Sequence, residues 1–271
     1  MAQTAATGEH SLNIQGIRTY HCTRGAGKPL LFLHPGIGID LAAPALDLLS
    51  ERVALHVPSH PGYGKSELPK WMSTVDDLAY FYLDYLDALD LRDVILVGAS
   101  LGGWIAAEIA VKSTERISHL VLAGAGGIKI SDREHRDFVD VFNVSHAELE
   151  ALTYHNQKFA SGALTSQSEQ ALATMFRNRE STGLFAWSPY MHNPALRRRL
   201  HRIKVPTLLL WGANDRIVSP DYGRAYASDI PGATFATIAD SGHYPHIEQP
   251  AAFAQQIFAF VDSAKRLKKE V

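Results

Sequence analysis

The chain has 271 residues, 46% of them hydrophobic and 20% charged, with a formal net charge of −2. That length suits one domain with room for an insertion, and that apolar share supports a substantial core. The near-balanced charge offers no handle for nucleic acid or an anionic membrane, one cysteine excludes an internal disulfide, and no run approaches the roughly 20 apolar residues that span a bilayer.

Taken from the N-terminus, Met1–Gly8 lacks a charged start followed by an apolar run, so no signal peptide is expected and a cytoplasmic location is the expectation. Strand-like runs follow near residues 12–22, 29–33, 53–57, 93–98, 117–123, 206–211 and 233–239. Cys22 lies in the first of these and is read as packing. Val75, Leu78, Ala79, Tyr82, Leu86 and Leu89 recur at spacings of three and four, which predicts one buried helical face. Phe253, Ile257, Phe260 and Val261 predict the same for the last helix, whose basic end, Lys265 to Lys269, is expected to be solvated. Strands alternating with helices imply an α/β fold with a parallel sheet covered on both faces. Residues 130–202 break the alternation: no strand is visible there and the composition is polar and helical. Residues 1–129 and 203–271 then form two parts of one core domain.

Chemistry concentrates at three strand ends. Gly98-Ala99-Ser100-Leu101-Gly102-Gly103 follows the apolar run Val94–Val97 and precedes the helical run Trp104–Ala110. It has the form G-x-S-x-G. A strand turning sharply into a helix needs small flanking residues and pushes the apex side chain outward, so Ser100 is a candidate nucleophile. The alternative is a structural serine in a tight turn. A serine hydroxyl needs a base within hydrogen-bond reach and an acid to orient that base. Asp215 lies just past the strand ending at Trp211-Gly212, where open α/β sheets gather functional groups. It stands too far before the helix starting near Pro220 to cap it, and Ser219 fits that role better. His243 follows Gly242 in the loop after the last strand. The order Ser100, Asp215, His243 is that of a strand-built triad. Asp132 and Asp240 are rival acids. His246 is the rival base, and its place in the opening turn of the last helix favours packing or capping.

Attack by serine on a carbonyl builds negative charge on oxygen, which backbone N–H groups stabilise. Leu101, immediately after the nucleophile, supplies one expected donor. Gly36 or Ile37 supplies the other, from the loop His34-Pro35-Gly36-Ile37-Gly38 after an earlier strand. Pro35 has no N–H to give. His34 is read as ordering this loop.

These motifs together resemble the α/β-hydrolase superfamily over nearly the whole chain. His34-Pro35-Gly36 is similar to the family's H-G-x loop with proline in place of its first glycine. Pro61-Gly62-Tyr63-Gly64-Lys65-Ser66 is similar to its P-G-x-G-x-S turn, with Ser59 where aspartate is usual. The serine elbow, the acid loop through Asp215 and Val218, and the base loop Gly242-His243 with Pro245, Glu248 and Pro250 complete the order. The resemblance implies a mostly parallel eight-stranded sheet flanked by helices, with residues 130–202 as a helical lid.

Ser100 argues against the haloalkane dehalogenases and epoxide hydrolases of this fold, which use aspartate. Carbon–carbon hydrolases of aromatic ring-cleavage products usually carry asparagine before the nucleophile and tryptophan after the base. Here those positions hold Ala99 and Tyr244. Esterases and lactonases share the S-x-G-G elbow. The expectation is therefore a serine hydrolase of a small, largely apolar ester or lactone, needing no metal or cofactor and no nucleic-acid or membrane partner, as a monomer or homodimer. A carbon–carbon hydrolase is the alternative, and a non-enzymatic small-molecule binding protein a third reading.

Several bulky residues fall in the insertion: Phe138, Phe142, Met175, Phe176, Phe185, Trp187, Tyr190 and Met191. Met175, Trp187, Tyr190 and Met191, with Tyr244, are candidates to line the substrate pocket. Pro189 fixes a non-helical turn among them. Arg177 and Arg179 either bind a substrate carboxylate or are exposed, and Arg197 to Arg199 read as a solvated face.

Overall fold

The computed structural model describes residues 8–39 and 43–267. The first seven residues and the basic positions Lys268 and Lys269 lie outside them. Eight strands form one sheet: β1 (Gly8–Ile14), β2 (Ile17–Arg24), β3 (Pro29–Leu33), β4 (Ala54–Pro58), β5 (Val94–Ala99), β6 (Ile117–Ala123), β7 (Thr207–Gly212) and β8 (Thr234–Ile238). Their spatial order is β1-β2-β4-β3-β5-β6-β7-β8. The pairs β1–β2 and β2–β4 are antiparallel and the others parallel.

The run predicted at 12–22 divides into two strands. Gln15 and Gly16 both take positive φ and make a two-residue hairpin turn, with the Gly16 N–H donating to the Asn13 side chain.

The central strands are continuous apolar runs because both their faces are covered. Leu31 and Leu33, Leu96, Leu120 and Leu122, Leu209 and Trp211 face one core layer. The alternate residues Leu30 and Phe32, Ile95 and Val97, Val121, Leu208 and Leu210 face the other. The first layer is closed by α2 (Val75–Ala88), α3 (Leu101–Lys112) and α6 (Pro220–Ser228), the second by α1 (Ala43–Ser50) and α8 (Pro250–Leu267). Cys22 packs in the second layer.

The α2 helix starts at a capping box, Thr74 with Asp77, and buries Val75, Leu78, Ala79, Tyr82 and Leu86 as the spacing predicts. It also buries Phe81 and Tyr85, while Leu89 is the C-cap. In α8 the buried positions are Phe253, Ala254, Ile257, Phe258 and Val261, and Phe260 is only partly covered. Ser219 caps α6 through the Tyr222 amide. A short helix, α7 (Pro245–Glu248), precedes α8.

Between β6 and β7 the chain carries α4 (His146–Thr153), α5 (Glu169–Ala186) and three 3-10 turns, at Gln157–Phe159, Leu164–Ser166 and Arg197–Arg202. Isolated bridges tie this segment to the core at Gly127 with His192 and at Phe138 with Val218. Arg197 pairs with Asp229 at 2.7 Å, and Arg198 and Arg199 are exposed. From β4 the chain crosses over β3 to start β5, so winding reverses direction between β3 and β5. The carboxyl ends of these two strands mark the usual ligand position in an open α/β sheet.

Candidate active site

Ser100 occupies the turn between β5 and α3 with φ 53° and ψ −113°. Such a backbone costs about 1–3 kcal/mol for a non-glycine residue and persists only where the surroundings enforce it. Here they do. The Ser100 N–H donates to the Ala123 carbonyl at 2.8 Å, while its own carbonyl accepts from Trp104 at 3.1 Å. A Cβ at Gly98 would stand 2.2 Å from the Gly102 carbonyl oxygen, and one at Gly102 would stand 2.1 Å from that of Leu33. The glycines let α3 start hard against the ends of β3 and β5. Leu101 is then the first helical residue, where an amide has no carbonyl within its own helix to bond.

His243 reaches Ser100 from the loop after β8. Its Nε2 lies 2.9 Å from Ser100 Oγ, and its Nδ1 lies 2.8 Å from Asp215 Oδ2. The other Asp215 oxygen accepts the Ile217 and Val218 amides at 2.9 and 3.0 Å. With Nδ1–H donating to the free Asp215 oxygen, the His243 Nε2 lone pair faces the serine. Ser100, Asp215 and His243 are 5%, 5% and 3% exposed, which removes competing water from these bonds.

Backbone bonds fix the two loops relative to each other. Asn214 N–H donates to the Ser241 carbonyl at 2.9 Å, and His243 N–H to Thr153 of α4 at 2.8 Å. Buried Glu248 accepts the Gly242 amide at 2.6 Å and the Asn156 amide at 2.8 Å, joining the base loop to the insertion.

The rival residues lie elsewhere. His246 is buried among Phe32, Tyr244 and Phe253, neither ring nitrogen has a partner, and burial pushes its pKa down to about 3. Asp132 is exposed and bound to His135 at 2.7 Å. Asp240 is exposed and 3.8 Å from His155.

The 34–38 loop is held by two stacked histidines with ring centroids 3.6 Å apart. His34 Nε2 accepts the His60 amide at 2.9 Å, so its Nδ1 carries the proton and donates to the Pro35 carbonyl at 2.7 Å. His60 Nε2 donates to the His34 carbonyl at 2.8 Å while its Nδ1 accepts from the Tyr82 hydroxyl. Burial pushes His34 down to about 4 and His60 well below its usual range, so neither carries charge near neutrality. His34 orders the loop, as its sequence position predicts. Of the loop amides, Gly38 N–H is spent on the Pro35 carbonyl at 3.0 Å.

The insertion residues named from sequence divide. Tyr244 lies against the His243 ring, with centroids 4.8 Å apart. Trp187 is 53% exposed and packs edge-on with Phe142 and Tyr190. The Tyr190 hydroxyl is committed, donating to Val139 O at 2.7 Å and accepting from Val141 N at 2.9 Å. Met191 is a core residue at positive φ. Met175 is half-buried on α5. Arg177 is exposed, as one of the two readings had it, and donates to the Gly62 and Ser66 carbonyls at 3.0 and 2.7 Å; half-buried Arg179 donates to Val141 O at 2.9 Å. Among the described residues no three His, Cys, Asp or Glu side chains converge as metal ligands would.

Sequence reading passed over Asn178, Ser181 and Thr182, a buried polar stripe of α5 that meets the 34–38 and 61–66 loops. Their spacing of three and four, on a helix with few apolar positions, is the signal that marks such a face.

A serine, a histidine and an aspartate are thus linked in line at the end of a parallel sheet. The family described as alpha/beta hydrolase fold matches residues 28–250, and the chain belongs to it. It is a hydrolase, as the resemblance implies. The chain is 29% identical to the 2-hydroxymuconate semialdehyde hydrolase of Pseudomonas sp. (strain CF600), covering 92% of each. Its fold is similar to that of the meta-cleavage product hydrolase from Pseudomonas fluorescens IP01, with TM-score 0.78 and 20% identity over 94% of this chain and 98% of that one. It is equally similar to a thermophilic esterase from Thermogutta terrifontis, with TM-score 0.77 and 22% identity over 95% and 99%. Among the described residues no helix is long and apolar enough to cross a membrane.

Proposed function

We propose that this protein is a serine hydrolase of a carboxylic ester or lactone with a small, largely apolar substrate. The observation that carries the reading is the buried in-line relay from Ser100 Oγ through His243 to Asp215. His243 Nε2 takes the Ser100 proton as Oγ attacks the substrate carbonyl. The imidazolium that forms is stabilised by Asp215, which keeps its charge. The carbonyl oxygen, now negative, accepts the Leu101 amide and the Gly36 or Ile37 amide. His243 then protonates the leaving alcohol, leaving Ser100 acylated. Water gives a proton to His243 as it attacks the acyl carbon; the bond to Ser100 Oγ then breaks, His243 returns the proton to Oγ, and the acid is released. Residues 130–202 form a lid over this centre, with Tyr244 beside the base and Met175 and Trp187 toward the substrate. Tyr190 and Met191 shape it from behind.

The commitment of Arg177 favours this substrate class, because its Nε and Nη2 fork is taken by backbone carbonyls rather than offered to a substrate carboxylate. Ala99 and Tyr244 at the positions flanking nucleophile and base agree with it. The names of the relatives favour a second reading, hydrolysis of a carbon–carbon bond in a ring-cleavage product by the same triad.

The test is a nitrophenyl ester series from acetyl to decanoyl, with Ser100→Ala alongside and a vinylogous diketone ring-cleavage product in parallel. Turnover that depends on Ser100 and peaks at one chain length supports the ester reading. Fast turnover of the diketone with negligible ester turnover replaces it with the second. Full activity in Ser100→Ala overturns both.

A further inference from the structure

We propose that Asn178 and Thr182 on α5 are positioning residues for the oxyanion site: Thr182 contacts the Gly36 carbonyl and so aims the free Ile37 amide, while Asn178 anchors the Ile37 carbonyl on the other side of that residue. The inference rests on the reading of Ser100 as nucleophile.

A trans peptide is planar, with its N–H pointing opposite to its C=O. Wherever a carbonyl is pinned, the amide of the next residue is aimed. In the 34–38 loop the carbonyls of residues 34 to 37 each have a partner. Pro35 O accepts from His34 Nδ1 at 2.7 Å and from Gly38 N at 3.0 Å, which aims the Gly36 amide. Gly36 O lies 3.3 Å from Thr182 Oγ1, whose one proton it shares with the Asn178 carbonyl at 2.9 Å, and this contact aims the Ile37 amide. Ile37 O accepts from Asn178 Nδ2 at 2.9 Å, which pins the other side of the same residue.

Both side chains are themselves fixed. Thr182 Oγ1 lies 2.9 Å from the Tyr63 hydroxyl and 2.9 Å from the Asn178 carbonyl. Asn178 Oδ1 accepts the Gly64 amide at 3.0 Å, which sets the amide flip so that Nδ2 faces Ile37. Asn178 and Thr182 are 4% and 8% exposed, so water does not substitute for them. The approach is close enough to demand glycine in the loop: a Cβ at Gly36 would stand 2.8 Å from Thr182 Oγ1. A segment lying outside the core sheet therefore sets the direction of donors that act on the reacting carbonyl. The opposite donor, Leu101, is set by the core alone.

Donors aimed at developing charge act on the rate rather than on substrate binding. The experiment measures labelling of Ser100 by a fluorophosphonate, whose phosphoryl oxygen takes the oxyanion position, so no knowledge of the natural substrate is needed. Wild type labels and Ser100→Ala does not; failure of that control overturns the nucleophile reading itself. Thr182→Val, which keeps shape and removes the hydroxyl, is expected to slow the maximal labelling rate about 10-fold, a fraction of the 10²–10³ lost when a donor is removed outright. The half-saturating concentration and the pH midpoint of labelling stay at wild-type values, and Thr182→Ser restores the rate. Asn178→Asp keeps the acceptor for Gly64, removes the donor to Ile37 and sets a carboxyl oxygen against that carbonyl, and is expected to slow labelling at least comparably. It carries the test alone if Thr182→Val does not fold. Wild-type maximal rates in the folded variants, a loss confined to half-saturation, or failure of Thr182→Ser to restore the rate overturns the proposal.

Discussion

Asp215→Asn probes the relay at its far end, and the structure decides which way the new amide turns. In the protein one Asp215 oxygen accepts two backbone amides and the other accepts a single imidazole N–H. An asparagine side chain has one acceptor oxygen. Turning its NH₂ toward Ile217 and Val218 leaves two buried donors unpaired, at about 1–3 kcal/mol each; turning it toward His243 leaves one. The oxygen therefore faces the two amides and the NH₂ faces Nδ1. An NH₂ donates, so Nδ1 must accept and the imidazole proton moves to Nε2. That tautomer points a hydrogen at Ser100 Oγ and has no lone pair to take the serine proton. The expected loss in kcat is about 10⁴-fold, or about 5 kcal/mol of barrier, on the scale seen when a triad histidine is held in the wrong tautomer. KM and the unfolding midpoint change little, because shape and the two amide bonds survive. The assay is steady-state hydrolysis of the best nitrophenyl ester, with fluorophosphonate labelling as a substrate-independent check. A variant that folds and keeps more than about a tenth of wild-type kcat refutes the assigned tautomer and the role given to Asp215.

Arg177→Met removes the bonds from α5 to the Gly62 and Ser66 carbonyls and is expected to cost about 1–3 kcal/mol in urea unfolding. The ratio of turnover for a neutral ester to that for a carboxylate-bearing ester should stay within about twofold, and selective loss of the second would show that Arg177 serves the substrate. His246, pushed down to about 3 by burial, stays neutral in the folded protein while its unfolded counterpart titrates near 6.5. A folded-state pKa below the unfolded one means the unfolded chain gains the proton first, so stability is flat above about pH 7.5 and falls as pH drops from about 6.5 toward 3. His34 adds a similar term ending at about 4. Because both His246 nitrogens lack partners, His246→Leu should reduce the fall in unfolding free energy between pH 7.5 and 5 by at most about 2 kcal/mol. An unchanged pH slope would show that His246 is not held neutral.

The features legible in the sequence are those governed by short stretches of chain. Ser100, Asp215 and His243 each follow an apolar strand run directly, so placing the strands in one parallel sheet brings all three to the same edge. The doubled face of β3, β5, β6 and β7 left no alternation, yet unbroken apolar runs between helical patterns still marked them as buried strands. Residues 12–22 hid a hairpin because their turn is two residues of ordinary polarity, Gln15 and Gly16, rather than a strong breaker pair. The insertion was harder because its side chains find partners far away in sequence. Nothing near Arg177 says that its guanidinium reaches carbonyls more than 100 residues upstream. Tyr190 and Met191 are bulky and lie beside a turn, which describes a pocket wall and a structural clamp equally well. Asn178 and Thr182 meet Ile37 and Gly36 across separations of 141 and 146 residues.

The segment between β6 and β7 grips both flanks of the centre. Thr153 and Asn156 hold the base loop, the second through Glu248, while Asn178 and Thr182 hold the loop on the opposite side. Substrate preference and rate are thus not separable modules in this molecule. On the proposed reading of residues 130–202 as a lid, a chimaera that exchanges them for the corresponding segment of another hydrolase changes the pocket wall and the scaffolding of the reaction together. Divergence toward new substrates through this segment has to keep a handful of polar side chains fixed while the apolar ones drift, so the raw material for new specificity is narrower than its 73 residues suggest.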